Sequence, residues 1–156
     1  MSIPEIQQHD AQPAIVMREE VALGGIGAAL HRILPVVCGH IQELGGTPAG
    51  MPFARFLGFG EAGHIIIEAG VPTLDALPSS SDVQSIVLDG GPCVTLMHTG
   101  SYDLLPFRHK EMDEWFEENG RKPAGARWET YLTDAGAESD TSKWRTLITQ
   151  ALEPKE

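Results

Sequence analysis

Between Ile26 and Leu44 the apolar residues Ile26, Leu30, Ile33, Val37, Ile41 and Leu44 recur at intervals of three and four, the spacing that gathers side chains on one face of an α-helix. Leu105, Met112 and Phe116 fall on the matching phase of a second stripe. Both stripes stop at glycine, in "LGG" and "NGR", where a left-handed C-terminal cap carries no steric cost. A strand-like run precedes each helix, "AIVMREEV" from Ala14 and "CVTLMHTG" from Cys93. Two more follow each, "FARFLGF" with "HIIIEAGV" in the first half and "RWETYL" with "WRTLITQAL" in the second. The predicted order is strand, helix, strand, strand, used twice. Pro106 suits the first turn of its helix, whereas Pro35 is expected to kink its helix or mark an irregular start.

The two halves are also alike in letters. A shift of 75 residues brings Gly25 onto Gly100, Leu30 onto Leu105, Glu43 onto Glu118, Gly45 onto Gly120, Pro48-Ala49-Gly50 onto Pro123-Ala124-Gly125, and Leu57 onto Leu132. Phe53 and Phe56 then meet Trp128 and Tyr131. Three strands and one helix cover only one side of a sheet, so two such units are expected to join about a pseudo-twofold axis and leave a shared cleft. The fold class expected is α+β, in a single domain spanning 1–156, with pseudo-repeats at about 12–73 and 91–153. The stretch "PTLDALPSSSDVQSIVLDGG", rich in Pro, Ser and Asp, reads as the crossover over about 74–90, with Ile86-Val87-Leu88 as a short extra strand.

Charge narrows the partners. Lys and Arg total 11 against 22 for Asp and Glu, a net charge of −11 that repels nucleic acid and favours cationic or neutral ligands. The cysteines, Cys38 and Cys93, form no spaced motif, and "MSIPEIQQHDAQP" has no basic-plus-apolar leader pattern, so a cytoplasmic location is expected. No apolar run is long enough to cross a bilayer, and no membrane partner is expected.

Most motifs have an ordinary reading. "GFGEAG", Gly58 to Gly63, spells the dinucleotide fingerprint, but a strand follows where a helix is needed, so its glycines are expected to make a hairpin turn. Cys38 with His40, and Cys93 with His98, supply two metal ligands each where a structural zinc site needs four, so no metal and no cofactor is expected. No serine sits in a G-x-S-x-G elbow. The acidic run "EMDEWFEENG" from Glu111 reads as the solvated side of a helix, with Met112, Trp115 and Phe116 turned inward.

Glu129 is the exception. Alternation in "RWETYL" sends Trp128, Thr130 and Leu132 to one face and Glu129 with Tyr131 to the other. With Trp128 and Leu132 under the covering helix, Glu129 and Tyr131 would face the cleft. A carboxylate walled by aromatic rings is costly to desolvate; it can pair a cation, accept a ligand hydrogen bond or act as a base, while an exposed strand-edge glutamate does none of these. The first half has Ala54 at this position, beside Phe56, so one half would supply the charge and the other only apolar wall.

The run "HTGSYDLLPFRHKEMDEWFEENGRKPAGARWETYLTD" followed by "WRTLITQAL" resembles the GyrI-like small-molecule-binding domain, also found as the effector domain of AraC-type and multidrug-responsive regulators. The likeness is clearest from Met97 to Leu152 and looser in the first half, through its order of elements and "HIIIEAGVP". It implies two strand-helix-strand-strand (SHS2) units in a concave antiparallel sheet, whose aromatic side chains and central glutamate bind bulky, often cationic and planar compounds. Glu129 matches the central acid, and Tyr131 and Tyr102 match aromatic positions of the pocket. Phe56, Trp144 and Glu68 follow more loosely, from the internal repeat and strand order. Only about a dozen polar residues precede the first predicted strand, so a stand-alone version without a helix-turn-helix domain is expected.

Three functions are compatible with these residues. The first is a sensor or sequestering protein that holds hydrophobic cations with Glu129 as counter-charge. The second is a hydrolase of cyclopropane-bearing DNA-alkylating compounds, an activity the resemblance implies for some members, with Glu129 as general base. The third is an inhibitor of DNA gyrase or of another protein partner, as the family name suggests. Binding stands first among them.

Overall fold

The structure, a computed structural model, describes residues 3–134 and 136–154, with the backbone alone described at Leu23. In chain order the elements are β1 (Glu5–His9), β2 (Gln12–Ala22), α1 (Ile26–Glu43), β3 (Phe53–Phe59), β4 (His64–Pro72), β5 (Gln84–Leu88), β6 (Gly91–Thr99), α2 (Leu105–Glu118), β7 (Pro123–Tyr131) and β8 (Arg145–Leu152). The α+β class and the doubled strand-helix-strand-strand order are as expected. The chain divides into two compact units, one spanning Asp10–Gly90 and the other made of β1 together with everything from Gly91 on.

In the Asp10–Gly90 unit the antiparallel order is β5-β2-β4-β3. α1 buries Ala29, Ile33, Val37 and Ile41, a strict four-residue spacing in which Ala29 takes the place expected of Leu30. Leu44, at the predicted end of the stripe, is exposed. The helix runs on through Pro35 as one element, where a kink or irregular start was expected. "GFGEAG" forms the β3–β4 turn, closed by a bond from the Gly60 amide to the His64 carbonyl (2.8 Å). Ile86-Val87-Leu88 lies within β5, the extra strand that the apolar run predicted.

In the other unit the order is β1-β6-β8-β7, again antiparallel. Leu105, Met112 and Phe116 of α2 pack with Val94 and Leu96 of β6 and with Ile148 and Leu152 of β8. Trp115 is only partly buried against that core. Pro106 sits in the first turn of α2.

The helices end alike. Gly45 and Gly120 have φ of +69° and +60°. After α1 the Gly46 amide bonds Ile41 O (2.9 Å) and the Gly45 amide bonds Gln42 O (3.1 Å); after α2 Arg121 bonds Phe116 O (3.0 Å) and Gly120 bonds Glu117 O (3.3 Å). Each is a Schellman pair, satisfying two carbonyls that the helix leaves open.

Two expectations need correction. The polar stretch before the first predicted strand contains β1, which pairs with β6 from Glu5 opposite Thr95 to His9 opposite Gly91. Backbone pairing, not side-chain burial, makes this strand, since four of its five residues are exposed. The second correction concerns the faces of β7. Glu129 lies opposite Ile148, a residue of the core under α2, and Tyr131 lies opposite Thr146. Glu129 and Tyr131 therefore share the helix face, and Trp128, opposite Thr149, points the other way. Trp128 is buried there edge-on against His9 (ring centroids 5.4 Å apart), while smaller aliphatics and Phe116 fill the space under α2.

Candidate functional site

Glu129 is 6% exposed, and each of its oxygens meets a donor. The Tyr131 hydroxyl donates to Oε1 at 2.8 Å, and His109 Nε2, reaching down from α2, lies 2.6 Å from Oε2. Alternation on β7 explains the first contact, because Glu129 and Tyr131 are two residues apart on one face. The second needs α2 laid over that face. Arg127, also on β7, braces the histidine: one terminal nitrogen is 3.3 Å from His109 O and 3.4 Å from Nδ1, and the other donates to Asp113 Oδ1 at 2.7 Å. Arg127 Nε bonds Gln150 Oε1 (3.1 Å), and the Gln150 amide bonds the carbonyls of Ala124 and Gly125 (3.2 Å each). The guanidinium charge is thus matched to Asp113.

Aromatic rings extend the site. Tyr102, in the turn between β6 and α2, lies with its centroid 5.8 Å from Tyr131 and 4.8 Å from Trp144. The Trp144 indole N–H donates to Glu138 O (2.8 Å), which leaves its ring available for stacking. Burial pushes the Tyr131 hydroxyl well above its ordinary range, and the negative charge of Glu129 pushes further in the same direction. Tyr102 is raised for the same reasons, with Asp134 adding to the effect. Both phenols therefore stay protonated at neutral pH, so Tyr131 remains a donor to Glu129. Across from Tyr131, the fully buried Thr146 Oγ1 has no hydrogen-bond partner among the described residues.

Of the six residues singled out from the sequence, Glu129, Tyr131, Tyr102 and Trp144 fall together in this one unit. Phe56 and Glu68 belong to the Asp10–Gly90 unit and lie on opposite faces of its sheet. Phe56 is opposite Ile67, whereas Glu68 is opposite Arg55 on one side and Arg18 on the other. Glu68, 1% exposed, is closed by Arg18 (2.9 Å) and by Arg55 through Nε (3.0 Å) and a terminal nitrogen. That makes it a neutralised structural carboxylate. Sequence reasoning missed His109, Arg127 and Thr146. His109 left no signal in the sequence, because its contact with Glu129 spans 20 residues.

The described residues also form an open depression of about 400 Å³, lined by β1, β6 and β8 through residues such as Glu5, His9, Cys93, Thr95 and Thr149. It lies on the face away from α2, and Glu129 takes no part in it. Its walls mix polar and apolar strand residues without a charge cluster, whereas the chemistry concentrates at Glu129. No group of three or more metal-ligating side chains occurs among the described residues.

Residues 3–149 match the family of GyrI-like small molecule binding domains. The chain belongs to the GyrI-like family. Among solved structures it is similar to the C-terminal domain of EcmrR, with a TM-score of 0.86 at 17% identity, covering 99% of each chain. In an EcmrR–DNA complex the likeness (TM-score 0.83, 17% identity) again covers 99% of this chain but 58% of EcmrR. A hydrolase from Listeria innocua (TM-score 0.68, 15% identity) is covered over 92% of its length by 97% of this chain. SAV2435 bound to tetraphenylphosphonium (TM-score 0.67, 14% identity) is covered over 93% by 96% of this chain. At these identities the likeness is one of fold. No curated protein sequence matches the chain.

Proposed function

We propose that this GyrI-like chain binds bulky hydrophobic cations, planar ones among them, with Glu129 as counter-charge and Tyr131, Tyr102 and Trp144 as aromatic wall, acting as a sensor or sequestering protein. The contrast between the two buried carboxylates among the described residues carries this reading. Glu68 is closed by two guanidinium groups, whereas Glu129 meets a hydroxyl and an imidazole and no Arg or Lys side chain among the described residues. A buried carboxylate without a permanent counter-charge is a site that a cation completes. Stacking on the neighbouring rings would add about 0.5 to 2 kcal/mol per cation–π contact. The net charge of −11 concentrates such ligands near the protein, and the tetraphenylphosphonium bound by SAV2435 is a compound of this class.

Replacing Glu129 with Gln keeps the shape and removes the charge. Affinity for an aromatic cation, followed by fluorescence or calorimetry, is expected to fall about tenfold or more, against less than about threefold for its neutral isostere. Equal losses for both ligands would remove Glu129 from the role of counter-charge.

A second reading, hydrolysis with Glu129 as general base, is favoured by the chain of hydrogen bonds His109–Glu129–Tyr131, which could pass a proton. Two fold-neighbour structures from Listeria innocua are named hydrolases. Mass spectrometry of cyclopropane-bearing alkylators incubated with the protein separates the two readings: intact recovery supports binding, and turnover abolished by Glu129→Gln supports the enzyme.

A further inference from the structure

The two donors on Glu129 are not equivalent. Tyr131 lies on the same strand, is as buried as the carboxylate, and is held by its contact with Tyr102. His109 hangs from α2 with its side chain 22% exposed. A ligand cannot touch a carboxylate that is 6% exposed unless one donor moves, and the histidine is the one at the surface. Its tautomer follows from its other neighbour. Arginine has only donors, so Nδ1, facing Arg127 at 3.4 Å, is the acceptor, and Nε2 carries the hydrogen directed at Glu129 Oε2. The charged and titratable groups around the ring include Glu129 and Arg127 on β7, with Tyr131 behind Glu129 and Asp113 one turn further along α2 holding the guanidinium.

We propose that His109 is the specificity-determining residue of this site: a ligand displaces its Nε2–H from Glu129 Oε2, and the site therefore prefers cations that bring an N–H of their own. Protonated amines and amidines belong to this class. Quaternary ammonium and phosphonium ions restore the charge balance but leave Oε2 without a donor in a buried setting, where an unmade hydrogen bond to a charged group is expensive. Arg127 is the positioning residue, since its contacts to the His109 ring and carbonyl fix the imidazole that the ligand must replace. The inference rests on the reading of Glu129 as counter-charge.

The test uses a naphthylmethyl dimethylamine, protonated at neutral pH, and its trimethylammonium counterpart, which differ by one N–H against one N–CH₃. The intact chain is expected to bind the protonated amine about tenfold more tightly. In His109→Ala, where water reaches Oε2, the quaternary ion should gain affinity and the ratio should fall to within about threefold. His109→Gln, which keeps an N–H donor near that position, should restore the preference. A merely structural role would move both affinities together and leave the ratio alone. Equal affinities in the intact chain, or a preference that His109→Ala does not alter, would overturn the proposal. With Glu129→Gln measured alongside, a loss of both cations without discrimination in the intact chain overturns this inference alone. Unchanged binding of both cations to Glu129→Gln, or no binding of either to the intact chain, overturns the counter-charge reading and this inference with it.

Discussion

Glu129 and Tyr131 form a pair whose protonation can be followed separately from the rest of the molecule, because Tyr131 and Tyr102 are the two tyrosines of the chain. Burial raises both phenols above the ordinary value near 10, Tyr131 the more strongly, and Glu129 adds to each. The folded chain therefore holds its phenolic protons to higher pH than the unfolded chain does. Above about pH 10 the unfolded state loses protons that the folded state keeps, so this contribution to stability, complete below that pH, shrinks as the solution becomes more alkaline. Near-ultraviolet titration should show phenolate appearing above pH 10 in the folded chain, and Glu129→Gln should move the Tyr131 midpoint down. A Tyr131 midpoint unmoved by that substitution would break the link between the hydroxyl and the carboxylate. Sequence alternation is enough to pair Glu129 with Tyr131 on one face, but not to say which face, since the largest apolar ring, Trp128, lies away from the helix rather than under it. His109 was not legible: its contact spans 20 residues and depends on where α2 crosses β7.

The elements themselves were mostly written in the chain. The helices end where the glycines stand, and β3 spans the residues of "FARFLGF". Two kinds of glycine separate at this scale. At Gly120 an added Cβ meets nothing within 4 Å, so the cost of Gly120→Ala is the left-handed backbone alone, about 1 kcal/mol. At Gly70 the added Cβ would fall 1.8 Å from the Ile15 carbonyl oxygen and 2.8 Å from Val16 Cα, both backbone atoms of β2. Gly70→Ala must push β2 off β4 and is expected to cost more than the ~3 kcal/mol at the upper end of ordinary overpacking. Urea unfolding should rank the two in that order. The difference was hidden in the sequence, since Gly70 lies in a strand pattern like any other and only the close approach of β2 makes it irreplaceable. β1 was hidden for the opposite reason. "EIQQH" buries almost nothing, so hydrophobic alternation has no signal to offer for a strand made by its main chain.

At the scale of the whole molecule, each unit is edged by a short strand. β1 precedes β2 in the chain but pairs with β6, and β5 precedes β6 but pairs with β2. The Asp10–Gly90 unit is continuous in sequence, whereas the unit built on α2 takes one strand, β1, from the far side of it. For the unit built on α2 that strand also shields a thiol: Gln7 lies opposite Cys93, which is 2% exposed and whose pKa is raised by burial. Cys38, on α1, is exposed and serves as an internal reference. In the intact chain a thiol reagent should modify Cys38 promptly and Cys93 only as slowly as the unit opens, because attack needs an accessible thiolate. Deleting residues 1–9 removes the β1 ladder and the His9 ring from Trp128, which should open the edge of β6. Cys93 is then expected to react nearly as fast as Cys38, with amide exchange accelerating in β6 and staying slow in β2 and β4. Protection of Cys93 that survives the deletion would mean that β8 and α2 hold β6 closed without β1, and the N-terminal strand would then contribute pairing but no closure.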